Sequence, residues 1–413
     1  ARGLAIDVYV ETLDGTDAAD GRAGAADFVW RHRRAPYDLV VYQLGNAACH
    51  DYMWGYLFRY PGLVVLHDAQ VHQARAQSLL GGWTPRRADY THEFVANHPD
   101  APPDLALLIA EGLGGSLFGH WPLVRLVLQA ARLAAVHSPA LAARLAERHG
   151  IDVQAVPMGV GDPLAATGGL SAGEVRARHG LQPDDVVIGA FGGLTPEKRL
   201  PQVIAAVAGL AADRPNLHLL LVGSPAHHYD AVADAQRLGI AGRIHRAGFV
   251  SDAELPAYIQ AADIGACLRW PTNGETSASW LRLIAAGRAT VITDLAHQPE
   301  VPVVDARAWP AAARPVAVAV PILDEAEALR AAFQVLMDSP QRRARLGAAA
   351  RAWWQAHHTL ARMEEAYVTA IAATMGRPAP RPALPAHLDD AGGRRLAALL
   401  APFGVAPPAS VAG

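Results

Sequence analysis

Two short stretches of the chain carry residue types suited to holding an anion. The first runs Val186-Val187-Ile188-Gly189-Ala190-Phe191-Gly192-Gly193-Leu194-Thr195-Pro196-Glu197-Lys198-Arg199. An apolar run leads into a glycine turn and then two adjacent cations. Glycines let a phosphate approach the backbone, and Lys198 and Arg199 would neutralise its charge. Alone, the segment reads equally well as an ordinary strand-to-helix loop with a solvated Lys-Arg pair. The second stretch runs Arg269-Trp270-Pro271-Thr272-Asn273-Gly274-Glu275-Thr276-Ser277-Ala278-Ser279-Trp280-Leu281-Arg282. Ser277 is placed to cap a helix, so the backbone N–H groups after it would point at a ligand. Glu275 lies just before that helix, where a carboxylate also serves simply to complement the helix dipole.

A third group lies in the first half. Tyr37-Asp38-Leu39-Val40-Val41-Tyr42-Gln43-Leu44-Gly45-Asn46 and Leu63-Val64-Val65-Leu66-His67-Asp68 are apolar runs with polar ends, and His72 follows the second. A histidine at a strand end is most often a structural hydrogen bonder. Asp68 beside it strengthens a functional reading of His67. His67, Asp68 and His72, or His50 and Asp51, offer metal-ligand types, but their spacing fits no common zinc motif. No Asp-x-Asp pair, Gly-x-Ser-x-Gly elbow or Gly-x-Gly-x-x-Gly turn occurs at the places that would indicate a metal-dependent transferase, a serine hydrolase or a nicotinamide enzyme. No metal or cofactor is expected.

These residues need a scaffold, and the chain supplies a repeated one. Ala5–Val10, Leu39–Leu44, Leu63–His67, Leu133–His137, Val153–Val156, Val186–Phe191, His218–Val222, Ile244–Ala247, Ile264–Leu268 and Thr290–Thr293 read as strands. Many lack in/out alternation, as strands buried on both faces do. Helical stretches at Pro139–His149, Leu200–Asp213, Asp230–Leu238, Asp252–Ala261, Ser277–Ala286 and Asp324–Met337 alternate with them. The pattern predicts an α/β chain with parallel sheets. It runs twice, with a Gly/Ala-rich linker from Gly161 to Gly173. The expected division is 1–162, 163–345, a C-terminal helix over 346–376 and a Pro/Ala-rich tail over 377–413, with a short helical piece from Leu388 to Leu400. Ligands bind at the carboxyl ends of such strands, here in a cleft between two open domains.

Composition agrees. The chain has 413 residues, 51% hydrophobic and 18% charged, which excludes a disordered polymer. Lys plus Arg is 36 against 39 Asp plus Glu, so no basic footprint for nucleic acid exists. Cys49 and Cys267 are too far apart in sequence for a disulfide framework, which suits a reducing cytosol. The most apolar stretch, 121–136, is interrupted by Arg125 and Arg132 and is too short to span a bilayer. The expected location is the cytoplasm, with attachment to the inner face of the membrane left open.

Taken together, Lys198-Arg199 and Gly274-Glu275-Thr276-Ser277 resemble the donor-binding domain of glycosyltransferase family 4, the group 1 glycosyltransferases. So do Leu219-Leu220-Leu221-Val222-Gly223-Ser224, Gly248-Phe249-Val250-Ser251-Asp252, Ala285-Ala286-Gly287-Arg288-Ala289-Thr290-Val291-Ile292 and Val156-Pro157-Met158-Gly159-Val160. The resemblance covers about residues 37 to 372 and implies a GT-B fold, two Rossmann-like domains with parallel sheets facing a central cleft. It implies a retaining transfer of sugar from a nucleotide-diphosphate sugar to a glycan, lipid-linked or small-molecule hydroxyl, without a metal. Lys198 then matches the diphosphate lysine, Glu275 the glutamate facing the sugar, and His67 the strand-end histidine near it. Gly192, Gly193, Arg199, Gly223, Gly274, Thr276, Ser277 and Arg282 would surround the donor, with Phe249 and Val250 beside its base. Asn46, Asp68 and His72 would lie on the acceptor side.

The chain also departs from the family. Gly193 stands where an arginine is common. The second glutamate of the family, which holds the ribose, falls at Arg282 or Leu283. The first strand-helix unit is missing, so the expectation is a longer native chain. A nucleotide-sugar-binding module without catalysis and a nucleotide-sugar 2-epimerase remain alternatives.

Overall fold

Leu63–Leu66 and Leu133–Val136 are buried at every residue, as are five of the six residues of Val186–Phe191. Such runs can be satisfied only in the interior of a parallel sheet covered on both faces. The computed structural model builds two sheets from them. It describes residues 3–14, 20–102, 104–165, 169–389 and 400–405. The chain divides into two units. Unit 1 holds Ala1–Val156, Asn273–Glu275 and Tyr367–Gly413, and unit 2 holds Pro157–Thr272 and Thr276–Ala366. The division therefore falls after Val156 rather than Asp162, and it splits the C-terminal helical region at Tyr367.

In unit 1, β1 (Tyr9–Val10) pairs in parallel with β2 (Ala23–Gly24), apart from the main sheet. The expected strand Ala5–Val10 is thus reduced to its last two residues. The residues before them are exposed, so nothing there demands a sheet. The main sheet is β3 (Val41–Leu44), β4 (Leu63–Leu66), β5 (Leu133–Val136) and β6 (Val153–Ala155), all parallel and in chain order. Its core joins Leu44, Val64, Leu66, Ala134 and Val136 to side chains such as Trp54, Tyr90, Phe94 and Leu141. Helices α1 (His72–Leu80), α2 (Arg87–Asn97) and α3 (Pro139–His149) belong to this unit. Ser138 caps α3 and Pro139 opens it.

Unit 2 holds β7 (Val186–Phe191), β8 (Leu217–Val222), β9 (Ile244–Gly248), β10 (Ile264–Cys267), β11 (Ala289–Thr293), β12 (Val303–Val304) and β13 (Ala317–Val320). Their spatial order is β12-β13-β11-β10-β7-β8-β9, with every pairing parallel. The order reverses at β7 and β10, which makes their carboxyl ends the switch point where ligands bind in such sheets. The sequence pattern does not predict β12 and β13, although Ala317–Val320 is wholly buried. Alanine alternating with valine is a weak strand signal.

Helices α4 (Leu200–Ala211), α5 (Ala278–Ala285) and α6 (Glu325–Asp338) cover the faces of this sheet. The helix expected over 346–376 is two helices, α7 (Pro340–His357) and α8 (Leu360–Met375). The break is held from outside. Val160 donates its N–H to the His358 carbonyl (3.0 Å), and the His358 ring bonds the Met158 carbonyl (2.9 Å). Most of the predicted piece from Leu388 to Leu400, and 166–168 of the linker, lie outside the described residues.

Candidate functional site

The unit 2 site starts where β7 leaves the sheet. Gly192 has φ 88°, and a Cβ there would lie 2.4 Å from Lys198 Nζ and 3.4 Å from Ser279 Oγ. Only glycine relieves both the backbone strain and that crowding. Lys198 closes the single 3-10 turn Pro196–Lys198, and its ammonium donates to the Phe191 carbonyl. Ser279, in the first turn of α5, donates its hydroxyl to the same carbonyl (3.3 Å). The β7 exit, the lysine and the start of α5 therefore meet at one point. Ser277 caps α5 by accepting from Trp280 N–H (3.2 Å). The first N–H groups of a helix have no partner within it and carry its positive dipole end. An ammonium beside them is the arrangement an anion needs.

Neighbouring loops keep this corner in place. Trp270 N–H donates to the Glu197 carbonyl (2.8 Å), and Arg269 N–H donates to Thr293 Oγ1 (2.9 Å). Burial, and then the charge of Arg269, pull the Lys198 pKa down to about 8. Gly223 stitches the exits of three strands. Its N–H donates to Gly248 C=O (2.8 Å), while Gly192 N–H donates to Val222 C=O (2.8 Å). A Cβ on Gly223 would lie 2.1 Å from the Gly192 carbonyl oxygen, so no other residue fits.

The remaining unit 2 candidates separate. Phe249 projects into solvent, 82% exposed, while Val250 packs against the core behind it. Gly193 has room around it, since a Cβ there would meet nothing closer than Thr195 Cγ2 at 3.9 Å. Thr276 is half-buried. Arg199, a phosphate partner by its sequence position, has its guanidinium committed to Glu325 instead, with Nε at 2.8 and 3.0 Å from the two carboxylate oxygens. Its backbone has φ 57° and forms the N-cap of α4, so Arg199 helps start the helix. Of Arg282 and Leu283, Arg282 lies on the solvent side, because Leu283 is fully buried under Gly265. Arg282 lies 3.8 Å from Asp252.

In unit 1 the ends of β3 and β4 come together. Asn46 N–H donates to Asp68 Oδ2 (2.6 Å), and Asn46 Oδ1 accepts from Ala74 N–H (2.9 Å). His67 is half-buried beside them, with its ring nitrogens 3.0 Å from the Gln43 side chain and 3.0 Å from His137. Asn273, Gly274 and Glu275 cluster with this unit. Ala69 N–H donates to the Asn273 carbonyl (2.7 Å), and Glu275 Oε2 accepts from Asn273 N–H (2.7 Å). Gly274 has φ 77° and backs onto Ala69, whose Cβ would lie 3.0 Å from a Cβ there.

His72 is a correction. It is fully buried, bonded to the Tyr90 hydroxyl (2.8 Å) and packed on Phe94 and Phe118. Burial lowers its pKa to about 4, so it is a neutral core residue and not part of an acceptor surface. Gln43 and His137 join this group without having been singled out by the sequence pattern, and so does Tyr367, whose place in the C-terminal helix marked it as an interface anchor instead. His137 carries the same signal as His67, a histidine ending an apolar run. Among the described residues no group of three or more His, Cys, Asp or Glu is arranged to hold a metal ion, and no helix is long and apolar enough to cross a membrane.

The fold is that of the GT-B glycosyltransferases, α/β with two Rossmann-like units built on parallel sheets. Residues 172–353 match the family model of glycosyl transferases group 1. No curated protein matches the chain. Similar solved structures include sucrose-phosphate synthase from Thermosynechococcus elongatus, with 17% identity, 84% of this chain and 77% of that one covered, and a TM-score of 0.56. HepE from Anabaena in complex with UDP-glucose has 17% identity, 84% and 81% coverage and a TM-score of 0.56. WaaG, a glycosyltransferase involved in lipopolysaccharide biosynthesis, has 17% identity, 88% and 90% coverage and a TM-score of 0.55.

Proposed function

We propose that the protein is a retaining glycosyltransferase that moves a sugar from a nucleotide-diphosphate sugar to an acceptor hydroxyl. The observation that carries this is the convergence of Gly192, Lys198 and the start of α5 at the switch point of a domain that matches group 1 glycosyl transferases. The nucleotide diphosphate leaves as charge builds on its outer phosphate. Lys198 and the N–H groups after Ser277 are placed to stabilise that charge. Glu275 orients the transferred sugar with His67 near it, and Asn46 and Asp68 act on the acceptor side. The reading needs no pair of closely set carboxylates, because the acceptor oxygen attacks the face that the leaving group vacates as the sugar–phosphate bond breaks, and the hydroxyl proton passes to the departing phosphate oxygen. No metal takes part in it.

The HepE complex with UDP-glucose makes a UDP-sugar the first donor to try. A glycan or lipid-linked hydroxyl is the acceptor class. The unpaired Cys49 and Cys267 support placement in the cytoplasm or at the inner face of its membrane. The test is to supply UDP-, GDP- and ADP-sugars with and without acceptor and to measure free nucleotide diphosphate and glycosylated product. Lys198→Ala should lower turnover by roughly a hundredfold or more. Unchanged transfer by that variant would overturn the assignment. Binding without release would identify a nucleotide-sugar-binding module, and an isomerised free sugar a 2-epimerase.

A further inference from the structure

The carboxyl edge of the unit 1 sheet carries a string of polar groups that crosses all four strands. Gln43 lies near the end of β3, His67 follows β4, His137 follows β5 and Val156 follows β6. Leu66 and Val136 are paired in register, so the two histidines leave adjacent strands side by side. Their ring centroids are 4.9 Å apart. His67 Nδ1 lies 3.0 Å from His137 Nε2, and His137 Nδ1 lies 2.9 Å from the Val156 carbonyl. His67 Nε2 lies 3.0 Å from Gln43 Oε1, which also meets the Tyr367 hydroxyl at 3.1 Å. The His50 ring stacks on His67 with centroids 6.3 Å apart, and Asp68 is the next residue in the chain.

The directions of these bonds can be solved. A carbonyl only accepts, so His137 Nδ1 carries a hydrogen. Both rings are neutral. Burial, with help from His137 and His50, holds the His67 pKa at about 4, and burial lowers that of His137. A neutral His137 then has a bare Nε2, which accepts. His67 must therefore donate from Nδ1, and its own Nε2 is a bare lone pair. The Gln43 group facing that lone pair is then the amide NH2, related to the opposite orientation by a half-turn of the amide. Its second hydrogen serves the Tyr367 oxygen. Every bond in the string runs one way, from β3 to β6, with no donor facing a donor.

We propose that His137 is a positioning residue that locks His67 in the Nδ1–H form, leaving Nε2 as a hydrogen-bond acceptor at the carboxyl edge. On the glycosyltransferase reading, which this step requires, His67 takes the hydrogen of a sugar or acceptor hydroxyl. The Gln43 amide fills that place until the hydroxyl replaces it. A neutral acceptor of this kind selects hydroxyl groups and repels phosphate.

The test uses the full chain labelled with nitrogen-15 histidine. Long-range proton–nitrogen spectra at neutral pH should show His67 protonated at Nδ1 and bare at Nε2. His137→Leu should abolish that preference, and His137→Gln, whose side-chain carbonyl can accept the same hydrogen, should restore it. Transfer should fall about tenfold in kcat in His137→Leu, the effect of one hydrogen bond, with donor KM little changed, and should recover in His137→Gln. A wild-type His67 protonated at Nε2 overturns the proposal. So does a leucine variant with an unchanged tautomer, or one with a switched tautomer and unchanged transfer. The spectra need no turnover. A wild type with the expected tautomer and no transfer would refute the function and support the string.

Discussion

Lys198 is held near the point where it changes charge. Its folded pKa of about 8 lies below the 10.5 of a free lysine side chain, because burial and Arg269 both disfavour the ammonium. Two opposite pH trends result. Between about 8 and 10.5 the unfolded chain binds more protons at this site than the folded one, so stability rises with pH there. Affinity for a diphosphate moves the other way and should fall as pH rises through about 8, when the ammonium is lost. Calorimetric titration of nucleotide diphosphate from about pH 6.5 to 9.5 brackets that loss, and Lys198→Arg should flatten the profile. Gly192 makes a second prediction. Alanine at its φ of 88° would cost roughly 1–2 kcal/mol in backbone strain and would push the Lys198 ammonium away. Gly192→Ala should lower the melting temperature and weaken nucleotide binding together, as thermal shift with and without nucleotide would record.

Among the elements, one cation of the adjacent pair serves structure. Arg199 turns the chain with a positive φ, caps α4 and pairs with the nearly buried Glu325 at the start of α6. Breaking such a pair by removing one partner costs about 3 kcal/mol, because it strands the other charge. Arg199→Ala should therefore lower stability in denaturant titration while nucleotide affinity per folded molecule stays within about twofold of the parent, since additivity holds for groups that share no partner. A loss of affinity equal to that of Lys198→Ala would return Arg199 to the phosphate. Adjacent sequence positions put the two cations on the same turn, but side-chain direction was set by what each met across the fold. Lys198 met the Phe191 carbonyl and Arg199 met a residue more than a hundred positions away.

In the molecule as a whole, each unit has its own sheet and its own core. Nucleotide that binds at β7 and α5 should stabilise unit 2 by mass action, by about 2.7 kcal/mol at a hundred times Kd. Hydrogen exchange should show new protection around 192–198 and 276–282, and in the β3–β6 sheet little change with nucleotide alone. Equal protection of both sheets would refute a nucleotide site confined to unit 2. The alternation of apolar runs and amphipathic segments was enough to read two parallel α/β units, because strands buried on both faces leave an unbroken apolar signature. Gly192 was legible for a similar local reason, since a backbone with φ 88° packed against Lys198 admits only glycine. Short or weakly apolar strands such as β2, β12 and β13 left no such signature, and neither did the break before α8, which is imposed by Met158 and Val160. Only the tertiary structure decided that His72 is core, that Arg199 belongs to Glu325 and that Gln43, His67 and His137 form one string. Each of these depends on a partner distant in sequence, and a hydrogen bond or ion pair is specified by where both ends arrive.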